Sequence, residues 1–369
     1  MNADVLARPP ARSTTIDGIV DCDIHPSPRR PEDVLQFLPE RWRTHEREYG
    51  SHQRIVFSNT IPHPRMAPHT SRLDTWPPVG GPPASDLPFL REHYLDHYGI
   101  ARAVLQPLRP NAANQRNAPF GAALCAAVND WQAEVLMAGE PRLRGSIVVH
   151  PDDPDLAVAE IERCARRPSF VQVSLPPRCQ EPLGRRRFRP ILAAAAAHGL
   201  PVGLHVSGVS GHASTAGGWP SYYMEEHHSL VEVMQAAATS LIVEGAFEEL
   251  PGLRIVMIES GIAWLPSLRE RLDRFWRRLR SEVPHLCRPP SEYLRDHFWF
   301  TTQPIDEPER PEDLLDLVEQ VGFDRLMLST DYPHWDFDDP GQILRELSAD
   351  QRQAVFRDNA HALYGERLR

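Results

Sequence analysis

Lysine is absent from the 369 residues: all 40 basic side chains are arginine, set against 50 acidic ones for a formal net charge of −10. A GC-rich genome that writes arginine for lysine accounts for the bias. The chemical exclusions hold whatever its origin. Without a lysine amine there is no Schiff base, no anchored pyridoxal phosphate and no Walker-type phosphate loop. A metal pair bridged by a carboxylated lysine is excluded too. Paired cysteine motifs are also missing. The five cysteines, Cys22, Cys125, Cys164, Cys179 and Cys287, are odd in number and lack CxxC spacing. That pattern argues against a disulfide framework or a cysteine zinc site and fits a cytoplasmic protein. No apolar run reaches the length of a signal peptide core or a membrane span. With an acidic surface, nucleic acid is not an expected partner, and the short basic runs Arg185–Arg187 and Arg277–Arg280 read as solvated helix faces.

What the chain does contain is a regular alternation of short apolar runs with amphipathic stretches, the pattern of βα units. Strands are expected over 18–23, 101–106, 144–149, 169–174, 201–206, 253–258, 297–302 and 325–330. Helical patterns fill most gaps, at 118–138, 153–166, 186–198, 223–248, 261–281 and 309–320. Residues 1–14 read as a disordered tail, and 15–369 as one domain. The long gap after the first strand, 27–98, holds helix-like pieces near 31–47 and 86–97 around a Pro-rich stretch. It reads as an excursion capping one end of the sheet, because a structureless loop of that length would be unusual. Alternating strands and helices of this number predict an α/β fold, a (β/α)8 TIM barrel, with reactive residues at the C-terminal strand ends. A doubly wound sheet binding a dinucleotide would show a Gly-rich first βα turn, where this chain has DCDIHPSP.

Metal-type ligands recur where these strands stop. The first ends in Asp21-Cys22-Asp23-Ile24-His25, and residues two apart in extended chain face one side, so Asp21, Asp23 and His25 can point together. Asp23 and His25 then offer a carboxylate oxygen and an imidazole nitrogen, a set suited to Zn, Mn or Fe. His205 ends the fifth strand. Taken alone it reads as a satisfied core histidine. Glu259 ends the sixth strand after Arg-Ile-Val-Met-Ile, where a buried carboxylate needs a cation or metal. Asp331 ends the eighth, within Ser-Thr-Asp-Tyr-Pro-His, as a ligand or as a base for a metal-bound water. Several strands presenting such groups at the same end point to a metal site, with His334 and His150 as supporting residues.

A further cluster, Tyr222-Tyr223-Met224-Glu225-Glu226-His227-His228, opens the helical pattern after the fifth strand. Glu225 and His228 are three apart and share a helix face, so they can converge on one ion as in dinuclear carboxylate-bridged iron sites. The alternative is a first helical turn whose acids complement the helix dipole. Nucleophilic chemistry has little support. Ser207 and Ser260 sit in no Gly-x-Ser-x-Gly elbow, and Cys22 lies between acids that disfavour a thiolate.

The segments IVDCDIHP, GLHVSG, MIESGIAWLPSLRERLD, LMLSTDYPHWD and DNAHALYG resemble the amidohydrolase-related family, the branch also known as amidohydrolase 2, from about residue 18 to residue 366. The resemblance implies a (β/α)8 barrel with metal at its C-terminal mouth. It places Asp23 and His25 at the first-strand pair, usually His-x-His or Glu-x-His, with His205 as the fifth-strand ligand and Asp331 as the eighth-strand aspartate. Glu259 stands where the family's decarboxylases usually carry a catalytic histidine. The resulting set is rich in oxygen and tilts metal preference from zinc toward Mn or Fe. A small branch of this barrel fold shares the Ile-Glu-Ser-Gly and Tyr-Tyr-x-Glu-Glu-His segments and includes a nonheme diiron monooxygenase acting on a thioester-linked secondary metabolite.

The first expectation is therefore a metalloenzyme holding one or two divalent ions (Fe, Mn or Zn), whose metal-activated water hydrolyses a small organic substrate. Asp23, His25, His205, Glu259 and Asp331 would hold metal, joined by Glu225 and His228 at a second ion. Asp331, Glu259 and His334 would be catalytic. A diiron monooxygenase is the second expectation, a non-oxidative decarboxylase the third, and a barrel kept as a non-catalytic binding scaffold the last. A homodimer with no membrane partner completes the picture.

Overall fold

The computed structural model describes residues 16–52, 64–206 and 213–369. The tail expected over 1–14 lies outside the described residues. Eight parallel strands follow one another around the sheet in chain order: β1 (Ile19–Ile24), β2 (Ile100–Leu105), β3 (Leu143–Val148), β4 (Phe170–Leu175), β5 (Val202–His205), β6 (Ile255–Ile258), β7 (Phe298–Thr301) and β8 (Leu326–Met327). Their near-continuous apolar sequences follow from burial on both faces, the rule for parallel sheets covered by helices. The boundaries fall close to those expected, except that β8, expected to reach residue 330, stops at Met327.

Past that point the chain still closes the barrel. Cys22 N–H donates to the Leu328 carbonyl (2.9 Å), Asp331 N–H to that of Asp23 (3.2 Å), and His25 N–H to that of Tyr332 (2.8 Å). These bonds join the end of β8 to β1 and make the sheet a (β/α)8 barrel instead of an open sheet. Inside, Val20, Cys22, Val104, Val171, Val256, Ile258, Trp299 and Met327 pack against Leu363, Tyr364 and Leu368 from the C-terminal segment. The Tyr364 hydroxyl donates to Gln172 Oε1 (2.9 Å), while Arg102 Nε–H, near the start of β2, donates to the Leu368 carbonyl (2.7 Å). The N-terminal end of the barrel is thus floored with apolar side chains, each worth about 2 kcal/mol of burial. Polar chemistry is left to the opposite mouth.

Between β1 and β2 lie α1 (Glu32–Leu35), α2 (Glu40–Tyr49) and α3 (Leu87–Leu90), the last running into a π-helical turn over Arg91–Asp96. Pro39 separates the first two, which the sequence pattern reads as one piece. The middle of this excursion meets the loop after β8: Arg72 N–H donates to the Pro333 carbonyl (3.0 Å) and Trp335 N–H to that of Thr70 (2.7 Å). Around the barrel come α4 (Ala118–Trp131), α5 (Pro154–Ala165), α6 (Arg189–Ala197), α7 (Tyr223–Val243), α8 (Ala246–Glu249), α9 (Trp264–Arg278), α10 (Pro290–His297), α11 (Pro311–Val321), α12 (Ala349–Gln353) and α13 (Asn359–Tyr364). The single helix expected over 223–248 is divided into α7 and α8, because Gly245 adopts a left-handed φ of 73°. Among the described residues no helix is long and apolar enough to cross a membrane.

Candidate metal centre

The ends of four strands bring the sequence-predicted ligands together, and β1 does so by an irregularity. Asp21 pairs with Ala103 and Ile24 with Leu105, so three steps along β1 match two along β2. This is a bulge, and it switches which alternate residues face inward. Below it Val20 and Cys22 face the barrel interior. Above it Asp23 and His25 do so. The expectation that Asp21 points with Asp23 and His25 is corrected accordingly. Asp21 accepts hydrogen bonds from Thr330 Oγ1 (2.6 Å), Thr330 N–H (3.1 Å), Asp23 N–H (3.0 Å) and the Tyr94 hydroxyl. It ties β1 to the chain just after β8 and belongs to none of the donor groups.

His25 Nδ1–H donates to the Gln106 carbonyl (2.9 Å), which can only accept, so the Nε2 lone pair is left for the centre. Nε2 lies 2.6 Å from Asp331 Oδ1 and 3.3 Å from Asp23 Oδ1. His205 Nε2 is 2.9 Å from Glu259 Oε2 and 3.5 Å from Asp23 Oδ2. His334 completes the cluster with Nδ1 2.7 Å from Asp331 Oδ1, its ring stacked on that of His25 at 4.4 Å. Three overlapping groups of donors result: Asp23, His25, His205 and Glu259; His25, Asp331 and His334; and Glu259, Asp331 and Asp336. Within each group the donor atoms lie within 4.8 Å of one another. Two of the contributors, Glu259 and Asp331, have left-handed backbone, with φ of 56° and 61°. Such a conformation is costly for a side chain with a Cβ and turns the carboxylates inward at the strand ends.

The donors suit a cation. Both oxygens of Asp23 and Nε2 of His25 are buried, and none makes a hydrogen bond of good geometry with another group among the described residues. Buried acceptors are rarely left so. Burial would raise the Asp23 pKa, but the pull of His25 and His205 outweighs it and holds the carboxyl below the ordinary carboxylate range. Burial likewise opposes charge on both imidazoles, yet Asp23 with Asp331 lifts His25 well above its usual value, and Asp23 with Glu259 lifts His205 to about 9. Burial pushes Asp331 up to about 8 against the attraction of His25, aided by Asp336 and Asp23. His334 goes the other way, down to about 3, through burial and the neighbouring charge of His25.

A divalent ion must therefore displace protons. Without it His25 and His205 carry charge at neutral pH, since their pKa values are raised, and each must surrender its Nε2 proton to become a ligand. Metal affinity is expected to fall as pH drops below about 9, by roughly tenfold per pH unit for each proton displaced. Competition with a chelator at pH 6 and pH 8 measures this, together with proton release in weak buffer. Equal affinity at the two values would contradict it.

Glu225 and His228 do not join the cluster. Glu225 Oε2 accepts from the backbone N–H groups of Ser221 (2.9 Å) and Tyr222 (2.7 Å), closing a capping box at the start of α7. The carboxylate is spent on the helix end, and His228 belongs to none of the donor groups. Its neighbour His227 is also outside the donor groups and instead pairs with one of their members, its Nε2 3.2 Å from Asp336 Oδ2. His150 Nε2–H donates to the Gln115 carbonyl (2.9 Å) and is likewise outside the donor groups. The sequence singled out neither Asp336 nor Gln303, whose Nε2 reaches Asp336 Oδ2 (3.2 Å) and Asp331 Oδ2 (3.4 Å). For Asp336 the signal was available, five residues after Asp331 in the same turn. Over the centre, Trp335 Nε1–H points at the Tyr223 hydroxyl (3.4 Å), and Tyr223 stacks on His227.

Known proteins share this architecture. The amidohydrolase family profile matches residues 20–365. A γ-resorcylate decarboxylase from a Polaromonas species is 24% identical over 298 residues, covering 76% of this chain and 87% of that protein. The crystal structure of 5-carboxyvanillate decarboxylase from Sphingomonas paucimobilis superposes with a TM-score of 0.71 at 22% identity, covering 94% of this chain and 98% of the other. The 5-carboxyvanillate decarboxylase of Novosphingobium aromaticivorans, complexed with manganese and 4-hydroxy-3-methoxy-5-nitrobenzoic acid, has a TM-score of 0.69 at 20% identity over 94% of this chain and 96% of that one.

Proposed function

The chain belongs to the amidohydrolase family, and on that footing we propose that it is a metal-dependent carboxy-lyase that removes carbon dioxide from a hydroxylated aromatic acid without oxidation. The observation that carries the reading is the Asp331–His334 pair. Loss of carbon dioxide leaves an electron pair on carbon that must be met by a proton, so the site needs an acid at neutral pH. The Asp331 carboxyl, buried beside His334 and pushed up toward neutrality by that burial in the metal-free protein, is placed to be that acid. In sequence Glu259 takes the place of an expected imidazole and counts against decarboxylation. In space His334 supplies an imidazole 2.7 Å from Asp331. That geometry, and the decarboxylases among the relatives, put this reading ahead of the hydrolysis that the sequence suggests first.

A divalent metal held by Asp23, His25, His205 and Glu259 would supply a Lewis acid for a substrate oxygen. The other work falls to the chain. Asp331 delivers its proton to the ring carbon bearing the carboxylate. The carbon–carboxylate bond then breaks, its electron pair returns to the ring, and carbon dioxide departs. His334, whose side chain is 13% exposed where Asp331 is fully buried, relays a proton from solvent back to Asp331. Tyr223 and Trp335 present aromatic surfaces to a planar substrate.

A second reading has its own observation. The donors exceed what one ion takes, and Glu259 and Asp331 each belong to two groups. A carboxylate-bridged pair of irons activating dioxygen would use such sharing. Elemental analysis per chain and gas exchange on a panel of hydroxybenzoates separate the two readings. One manganese or zinc with carbon dioxide release supports the lyase. Two irons with oxygen consumption support the oxygenase and defeat it.

A further inference from the structure

Five glutamines are buried among the described residues: Gln106, Gln115, Gln132, Gln172 and Gln303. Four place the amide nitrogen on a protein acceptor: Gln115 on the Asn111 carbonyl, Gln132 on that of Ser146, Gln172 on Ser146 Oγ, and Gln303 on Asp336. Gln106 differs. It is 1% exposed, and among the described residues neither its Nε2 nor its Oε1 has a hydrogen-bond partner. Its backbone is pinned on both sides, with N–H donating to the Ile24 carbonyl (2.8 Å) and C=O accepting from His25 Nδ1–H (2.9 Å). The backbone at Gln106 therefore cannot shift without disturbing His25. Val104, two residues earlier, belongs to the barrel-interior cluster, so Gln106 lies on the same inward face at the mouth, next to His25.

We propose that Gln106 determines substrate specificity, by receiving a neutral group that both donates and accepts a hydrogen bond: the hydroxyl of a hydroxylated aromatic acid bound at the metal centre. A primary amide offers a donor and an acceptor side by side and matches a hydroxyl better than a carboxylate, which only accepts. A site built to hydrogen-bond a hydroxyl also rejects the analogue lacking it, because its own polar atoms are then left unpaired. The inference rests on the carboxy-lyase reading for the substrate's class. It is read by affinity and not by catalytic rate, so the two can fail separately.

The test uses the full chain loaded with manganese and two probes, 2-hydroxybenzoate and benzoate, titrated by calorimetry. Wild type is expected to favour 2-hydroxybenzoate. Gln106→Leu and the unbranched Gln106→Met should each lower affinity for 2-hydroxybenzoate about tenfold, the worth of a good hydrogen bond. Benzoate affinity, manganese content and thermal midpoint should change little. A preference retained in both variants, or missing from wild type, would overturn the proposal. Loss of manganese or of the fold in both variants would overturn it as well, since the amide would then be structural.

Discussion

His205→Ala is expected to deprive the protein of its metal and reduce turnover by about a thousandfold or more, the scale of losing metal-based charge stabilisation and acid–base chemistry together. His205 stands at the end of β5 between two carboxylates, 2.9 Å from Glu259 and 3.5 Å from Asp23. Alanine removes a ligand and also leaves those acids facing each other without a cation. Burial and Asp331 already raise the Glu259 pKa against the pull of His205. Without that imidazole Glu259 protonates more readily and becomes a poorer ligand in turn. Elemental analysis and turnover after equal manganese loading measure the effect. Metal content and activity both at wild-type levels would remove His205 from the centre.

Asp331→Asn tests the chemistry instead of the binding. The amide keeps an oxygen in place of Oδ1 and can still accept from His334, but it has no proton to give. A thousandfold loss in kcat, about the middle of the range for a removed general acid, is expected with KM little changed. Carbon dioxide release in single-turnover experiments, on protein of verified manganese content, is the measurement. A variant keeping a tenth or more of wild-type kcat would show that the proton comes from elsewhere.

The strands were legible because each is buried on both faces. VGLH and IVMI can hardly be anything but interior strands once helical stretches flank them. The candidate ligands at the ends of β5 and β6 and in the turn after β8 were legible for the same reason, since a His, Glu or Asp at the edge of such a run has to be paired. What escaped depended on local backbone. The bulge in β1 has no sequence mark, because one extra residue disturbs neither composition nor alternation visibly. Its effect is to send Asp21 to Thr330 and Tyr94 while turning Asp23 inward. Glu225 has the right spacing for a ligand, but that spacing equally describes a capping box, and the free N–H groups at the start of α7 claim it. The short α10 was passed over amid prolines, although Pro290 at its start is where a helix tolerates one. Gln106 carries no motif, and its meaning appears only once both amide atoms are seen without partners among the described residues.

The left-handed backbone at Glu259 and Asp331 also bears on how this barrel can be improved. Each position stores about 1 kcal/mol or more of conformational cost that glycine would release. A laboratory selection that rewards heat tolerance alone would find glycine at these two places among its easiest gains, and each gain would cost a carboxylate of the centre. Thermostable descendants worth keeping are those that hold both acids fixed and recover stability elsewhere on the scaffold, so screening must score turnover alongside melting from its first round.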